Sequence, residues 1–352
     1  MLRLGRGPVV AGRERAFTVK RLGDRGIRWG QQMTEAIIDH ADERGAADLG
    51  IVIVNYNTLA DLRNCLESLR ASTRCHSRRT LVVDNASTDG SAAMVRGSFA
   101  DVAEVLDTDH NGGYAFANNI GLRALGFDQG RPQEMLPHYV LLLNPDTVLP
   151  PDALDAVVTY MDEHRDIGVL GPRLLRQDGS LDLACRRSFP TPAVSFYRLT
   201  GLAKVFPHSR TFGRYNLTYL DPTVQVDVDS VVGAFMLIRA AALEQVGLLD
   251  EAFFMYGEDL DLCYRIKARG WRVVYYPQVT VLHIKGAASR KNSARATRAF
   301  YEAMKIFHDK HYRAQSPFYV NWAVDMGVGV LRLMAEWRNC LRPSSARHVA
   351  SA

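Results

Sequence analysis

Apolar residues recur along the chain in two rhythms. Residues 49–54 are a short, apolar, β-branched run, the pattern of a strand buried on both faces, and 80–83, 102–106 and 139–143 predict three further strands. Between them the spacing becomes helical. Leu59, Leu62, Leu66 and Leu69 fall on one helical face, and Thr58 stands where it can cap that helix. Ser87-Thr88-Asp89-Gly90-Ser91 supplies turn and capping residues for a second helix. Residues 113–125 predict a third, and 151–164 a fourth with Pro150-Pro151 at its start. Strands alternating with amphipathic helices predict βαβ units and a parallel sheet. Ligands of such sheets bind beyond the carboxyl ends of the strands. Here those ends carry Asn55-Tyr56-Asn57, Asp84-Asn85, residues 107–113 and Asn144-Pro145-Asp146, enough polar groups to line one crevice.

The second half is less regular. Residues 168–175 read as a strand, and 185–222, rich in aromatics, Arg and Pro, as a long surface loop or lid. Residues 224–239 predict a strand pair or one bent strand. Helices follow at 240–246 and 260–269, ended by Gly247 and Gly270. Residues 271–276 and 279–283 predict two short strands, and 295–312 a long helix. Residues 318–341 are amphipathic, with Asp325 and Arg332 making them too polar to span a bilayer. The first 47 residues lack strong periodicity apart from one short helix over 31–44. Three regions result: a basic extension over 1–47, an α/β domain over 48–285 and a helical region over 286–352.

The net charge of +5 changes little in this picture, because residues 1–30 hold eight Arg or Lys against Glu14 and Asp24. The remainder is close to neutral, so the chain does not read as a nucleic-acid binder. The tail itself suits either a solvated extension or contact with anionic lipid. Cys65, Cys75, Cys185, Cys263 and Cys340 are scattered without CxxC spacing, which argues against a disulfide framework or a zinc knuckle and suits a reducing cytosol. No apolar run of signal-peptide length opens the chain. With neither GxGxxG after the first strand nor GxxxxGK[ST] anywhere, a dinucleotide oxidoreductase and a P-loop NTPase are disfavoured.

Each candidate group admits a structural and a chemical reading. Asp146, just after a buried strand, is a turn residue or a ligand for a hard cation such as magnesium or manganese. Asp84 is an Asx-turn or an acceptor for a ribose or base edge. Glu258, Asp259 and Asp261 follow Phe253-Phe-Met-Tyr-Gly257; they complement a helix dipole, or one of them is a general base against aromatics. His283 ends a strand, as a structural residue or as a metal ligand or proton donor. Asn111-Gly-Gly-Tyr-Ala-Phe-Ala-Asn-Asn119 is a tight turn, or a cradle of N–H groups for a diphosphate.

In order, Ile51-Val-Ile-Val-Asn-Tyr-Asn57, Val82-Val-Asp-Asn-Ala-Ser-Thr-Asp-Gly-Ser91, Asn111-Gly-Gly-Tyr-Ala-Phe-Ala-Asn-Asn-Ile-Gly121, Leu142-Leu-Asn-Pro-Asp-Thr147, Gly233-Ala-Phe-Met-Leu-Ile-Arg239 and Phe254-Met-Tyr-Gly-Glu-Asp-Leu-Asp261 resemble family 2 glycosyltransferases. They look most like the bacterial rhamnosyltransferase branch. The resemblance implies an α/β GT-A fold, Rossmann-like and mostly parallel, with a C-terminal helical extension. It implies inverting transfer from a nucleoside-diphosphate sugar, dTDP-L-rhamnose or alternatively a UDP-hexose, to a glycan or lipid-linked acceptor of a cell-surface polysaccharide. A divalent cation, Mg2+ or Mn2+, is the implied cofactor. Asp146 matches the metal-binding acid of the Asp-x-Asp motif, with Asn144 replacing its first carboxylate, and His283 matches a position that joins the metal shell. Asp84 matches the nucleobase-holding acid, with Asn57 nearby. Asn55, Asn85, Gly112, Gly113, Asn118 and Asn144 complete the donor side. Asp259 matches the catalytic base, with Glu258 as its substitute. Such an enzyme works in the cytoplasm or peripherally at the inner face of the membrane. For the C-terminal helices, a membrane interface, a homodimer and packing on their own domain all remain open. From other classes, a non-catalytic nucleotide-sugar or glycan-binding protein and a nucleotidyltransferase compete with this reading.

Overall fold

The structure, a computed structural model, describes residues 47–73, 76–284 and 293–341. The helix expected over 31–44 lies outside them. The described strands are β1 (Leu49–Asn55), β2 (Arg78–Asp84), β3 (Glu104–Asp107), β4 (Tyr139–Leu143), β5 (Thr147–Val148), β6 (Ile167–Leu175), β7 (Val226–Asp227), β8 (Phe235–Arg239) and β9 (Arg272–His283). The described helices are α1 (Leu59–Ala71), α2 (Ser91–Ser98), α3 (Tyr114–Ala124), α4 (Ala153–Glu163), α5 (Pro192–Leu199), α6 (Leu202–Val205), α7 (Ala240–Val246), α8 (Glu258–Ala268), α9 (Ser293–His311) and α10 (Phe318–Leu341).

All described strands join one sheet, in the order β3-β2-β1-β4-β8-β6-β9-β5, with β7 also on β9. The β1–β4 group is parallel, and β1 and β4 are buried throughout, which is why their sequences are unbroken apolar runs. β8 enters antiparallel between β4 and β6, so β6 and its parallel neighbour β9 again point the same way as β4. The carboxyl ends of β1, β2, β4, β6 and β9 therefore lie along one edge of the sheet.

Several local expectations are corrected. Residues 224–239 form two strands that do not pair with each other, because the intervening Asp229 and Ser230 donate backbone N–H bonds to Arg187 O at 3.1 and 3.0 Å. The two short strands expected over 271–283 are one strand, β9. A register shift between Pro172 and Arg173 absorbs Pro277, which has no N–H for the ladder. The supposed loop at 185–222 starts inside the protein, with Arg186, Arg187 and Ser188 buried, and contains α5 and α6. Pro192 begins α5, and Thr191 Oγ1 accepts the Val194 N–H. Thr58 does not cap α1; its hydroxyl donates to Asn55 Oδ1 at 2.6 Å. The cap comes from Asp89, whose Oδ2 accepts from Leu59 N at 2.9 Å and whose Oδ1 accepts from Ser91 N at 3.1 Å, so one carboxylate serves two helix starts. The strand expected at 102–106 begins at Glu104, since Val102 and Ala103 still donate to Phe99 O.

The C-terminal helices close the site. Phe307 and Ala303 of α9 pack with Phe253 and Leu260, and Asp261 binds His311 and Lys310, each at 2.8 Å. That pairing, together with Arg265, outweighs burial and holds the Asp261 carboxyl down to about 2. Asp261 is thus a structural anchor.

Helix α3 sets a packing limit. A Cβ on Gly121 would meet Val52 Cγ1 at 2.5 Å, whereas one on Gly97 of α2 meets nothing. Gly121→Ala should lower unfolding free energy by about 1–3 kcal/mol, while Gly97→Ala should leave it unchanged or raise it by about 0.5–1 kcal/mol. Chemical denaturation of the two variants checks this.

Candidate active site

At the ends of β1, β2 and the segment after β3, three loops are bonded to one another. Asp84 accepts from Asn55 Nδ2 at 2.7 Å and Ser87 N at 2.9 Å. Asn57, at φ 55°, accepts from Thr88 N at 2.8 Å. Asn85 donates to Asn111 Oδ1 and Gly113 O, both at 3.1 Å, and accepts from Gly112 N at 3.2 Å. Gly113 requires glycine: its φ is 98°, and a Cβ would lie 2.3 Å from Phe254 O.

The glycine-rich segment is a tight turn in the structure. The N–H groups of the glycine-rich turn are already used: Gly112 donates to Asn85, Gly113 to Asn111 Oδ1 at 3.1 Å, and Tyr114 to Phe254 O at 2.8 Å. These three N–H groups are taken up within the protein. The turn instead contributes a wall without side chains. Asn118 sits a turn deeper, fully buried, donating to Tyr114 O while its Oδ1 has no hydrogen bond.

The centre of the edge is a chain of three side chains. β5 pairs Thr147 with His283 at the end of β9, which brings Asp146 beside the imidazole. Asp146 Oδ1 is buried without a hydrogen bond and lies 3.3 Å from His283 Nε2. His283 Nδ1 is held at 2.8 Å by Asp182, which is fully buried. Burial alone would lower the imidazole pKa, but the Asp146 and Asp182 carboxylates raise it to about 9. A carboxylate that fixes one nitrogen of a histidine leaves the other nitrogen turned to a carboxylate oxygen without a hydrogen bond, a geometry that could hold a cation between them. Among the described residues no cluster of three or more His, Cys, Asp or Glu surrounds a common point. One carboxylate and one imidazole fit a hard cation that takes its other ligands from phosphate and water. Arg176, at the end of β6, adds a positive group at the same edge, 3.7 Å from Asp182.

The acids at the start of α8 are set apart by their surroundings. Tyr256 and Gly257 have φ of 70° and 85°, a turn that is costly for tyrosine and that aims the helix N-terminus into the cavity. Asp259 is buried and fully engaged: Oδ2 accepts from Arg187 at 2.7 Å and Gly233 N at 3.2 Å, and Oδ1 from Leu260 N at 2.7 Å. Glu258 Oε2 has no partner, and burial together with the Asp259 charge pushes its carboxyl up to about 8. The Tyr114 hydroxyl donates to Gly233 O at 2.8 Å. Burial and the charges of Glu258, Asp259 and Asp146 raise its pKa, which marks the proximity of all three carboxylates.

A cavity of about 1150 Å³ brings these groups together. Asn85, Gly113, Asn144, Asp146, Glu258, Asp259 and His283 line it, and Arg176 and Arg187 join them. Asn55, Asn57, Asp84, Gly112 and Asn118 stand behind the wall and hold its loops in shape. Asp182 and Arg187 were not singled out in the sequence. Asp182 falls between the expected strand and loop, and Arg187 is one arginine in the supposed lid; their partners lie 101 and 72 residues away.

Residues 46–302 match the family described as Glycosyltransferase like family 2. The N-acetylglucosaminyl-diphospho-decaprenol L-rhamnosyltransferase of Mycobacterium tuberculosis is 31% identical over 306 residues, covering 85% of this chain and 96% of the relative. Rhamnosyltransferase WbbL of Escherichia coli is 27% identical over 252 residues, 70% of this chain and 88% of its own. A solved mannosyltransferase from Pyrobaculum calidifontis, in complex with GDP-Man and Mn2+, aligns with a TM-score of 0.47 at 15% identity over 91% of this chain and 86% of that one. The chain belongs to the family 2 glycosyltransferases. It is a glycosyltransferase with the GT-A fold, and the reaction of its class is glycosyl transfer from a nucleotide sugar.

The Glu258 environment predicts a pH signature. Its folded pKa lies above the usual carboxylate value, so the protonated acid favours the fold, and this contribution is lost as pH rises from about 4.5 through about 8. Glu258→Gln should therefore shrink the fall in melting temperature between pH 6 and pH 9. Thermal unfolding of both proteins at the two pH values measures it; an equal fall in both would contradict the assignment.

Proposed function

We propose that this enzyme transfers L-rhamnose from dTDP-L-rhamnose, with inversion, to a hydroxyl of a lipid-linked glycan. The observation that carries the reading is the convergence of Asp259 and the Asp146–His283 pair on one cavity at the sheet edge. The two rhamnosyltransferase relatives support the sugar, and the decaprenol in one relative's name supports the acceptor class.

In the chemistry, the acceptor oxygen attacks the anomeric carbon from the face opposite the diphosphate. The bond from that carbon to the diphosphate oxygen breaks, and the nucleoside diphosphate departs. Asp259 takes the proton of the attacking hydroxyl. Glu258 is the poorer base because burial and the Asp259 charge favour its protonated form. Arg187 is a positioning residue: with Gly233 N it holds Asp259 Oδ2 in place. Asp146 and His283 would hold a divalent cation, which when bound offsets negative charge on the departing diphosphate. Asp182 keeps Nε2 of His283 turned to that position. Asn85 and the Gly113 turn border the donor, with Asp84, Asn55 and Asn57 fixing the loops around its nucleoside.

Asp259→Asn keeps an oxygen for Arg187 but cannot accept the proton. Its turnover should fall by about 10²–10⁴-fold, with donor affinity retained in calorimetry; unchanged turnover would remove Asp259 from the base role. For Asp146→Ala, calorimetric titration with dTDP-L-rhamnose should no longer show the gain in affinity that added manganese gives the wild type. Binding that still responds to manganese would reject the cation assignment, and preference for a UDP-hexose in the same titrations would replace the donor.

A further inference from the structure

Helix α10 carries an apolar face that no described residue covers. Phe318, Trp322, Met326, Val330, Leu333 and Trp337 follow at intervals of three or four residues. They span about 120° of the helix circumference. Phe318, Trp322, Leu333 and Trp337 are 83%, 66%, 67% and 66% exposed. The charged residues along one border of this stripe are tied down onto α9 and the turn after it. Asp325 meets Lys305 at 2.8 Å and Arg313 at 2.7 Å, Arg332 meets Glu302 at 3.5 Å, and Glu336 meets Arg298 at 3.7 Å. These pairs fix which side of α10 faces outward.

The other border opens on the catalytic cavity. Tyr319 is 61% exposed and yet lines that cavity, followed by Ala323, Val324, Gly327 and Leu331. One apolar surface thus runs from Tyr256, Phe300 and Phe307, beside the two acids, to the outer face of the helix.

We propose that α10 lies in the surface of a phospholipid bilayer, and that the apolar arm of the cavity takes the hydrocarbon chain of the acceptor directly from it. The proposal rests on the lipid-linked acceptor argued above. No described helix is long and apolar enough to cross a membrane, so the helix lies along the surface rather than through it. Two exposed tryptophans on a charge-free stripe suit the headgroup level. Residues 293–341 hold seven Lys or Arg against four Asp or Glu, a balance that favours anionic headgroups. A second copy seated on the stripe would cover Tyr319 and the cavity mouth, whereas a bilayer supplies the acceptor through it.

The test uses the full chain with sedimenting vesicles of phosphatidylglycerol and phosphatidylcholine. Wild type should sediment with them, and its tryptophan emission should shift to the blue. The Trp322→Glu, Trp337→Glu double variant should bind about tenfold less. Its melting temperature, and its transfer to a short-chain water-soluble acceptor, should be unchanged, while transfer to a long-chain polyprenyl acceptor in the same vesicles falls. Equal sedimentation of both proteins overturns the proposal. So does a wild type that stays in solution as a dimer which the double variant dissociates. The soluble-acceptor assay is scored separately: its failure in wild type counts against the transferase chemistry, and its success beside absent vesicle binding counts against docking alone.

Discussion

Strand direction is the constraint on which this molecule depends. Because β1, β2 and β4 are parallel, and β6 and β9 regain that direction through the antiparallel β8, residues far apart in the chain surface along one edge. Asp84, Asp146, Arg176 and His283 share that edge because of it, and the β5–β9 pairing then sets Asp146 beside His283. Had β8 been absent, β6 could still lie parallel to β4, but Gly233 would not stand at the amino end of a neighbouring strand with its N–H on Asp259. A single antiparallel insertion thus joins the parallel-strand edge of the site to the acids of α8.

Within that frame, electrostatics divides the labour. A cavity with largely apolar walls makes every unpaired charge costly. Asp259 meets the cost with a guanidinium and two backbone N–H groups, and Glu258 meets it by keeping its proton. Asp146 has only the edge of an imidazole, with one oxygen left over. Two neighbouring carboxyls thus sit in different surroundings, and the one without partners, Glu258, is the one whose pKa burial and the Asp259 charge push up.

The first half of the fold was legible because each fully buried strand announces itself as an apolar run, and each intervening helix by its leucine spacing. The polar residues just beyond those runs located the edge where the site would form. The second half was less legible for a physical reason. The segment after Cys185 is shaped by buried arginines whose partners are main-chain carbonyls and distant acids, as with Arg186 on Leu220 O and Asp221 O. Such bonds leave no periodic trace. The same holds for Asp182, whose partner His283 lies 101 residues away. The glycine-rich turn kept two readings open for another reason: glycines that welcome a phosphate and glycines that let two backbones touch look identical until the neighbouring carbonyl is seen.

That neighbouring carbonyl has a consequence for how the enzyme can be altered. Phe254 O rests against Gly113 and receives the Tyr114 N–H, so the start of α3 is spliced to the stretch that leads into Tyr256 and the two acids. The splice makes position 113, remote from Asp259 in the chain, mechanically part of the acid's mounting. Any side chain introduced there displaces the mount before it touches a substrate. Donor-side redesign in this scaffold must therefore be carried out around that glycine and not through it.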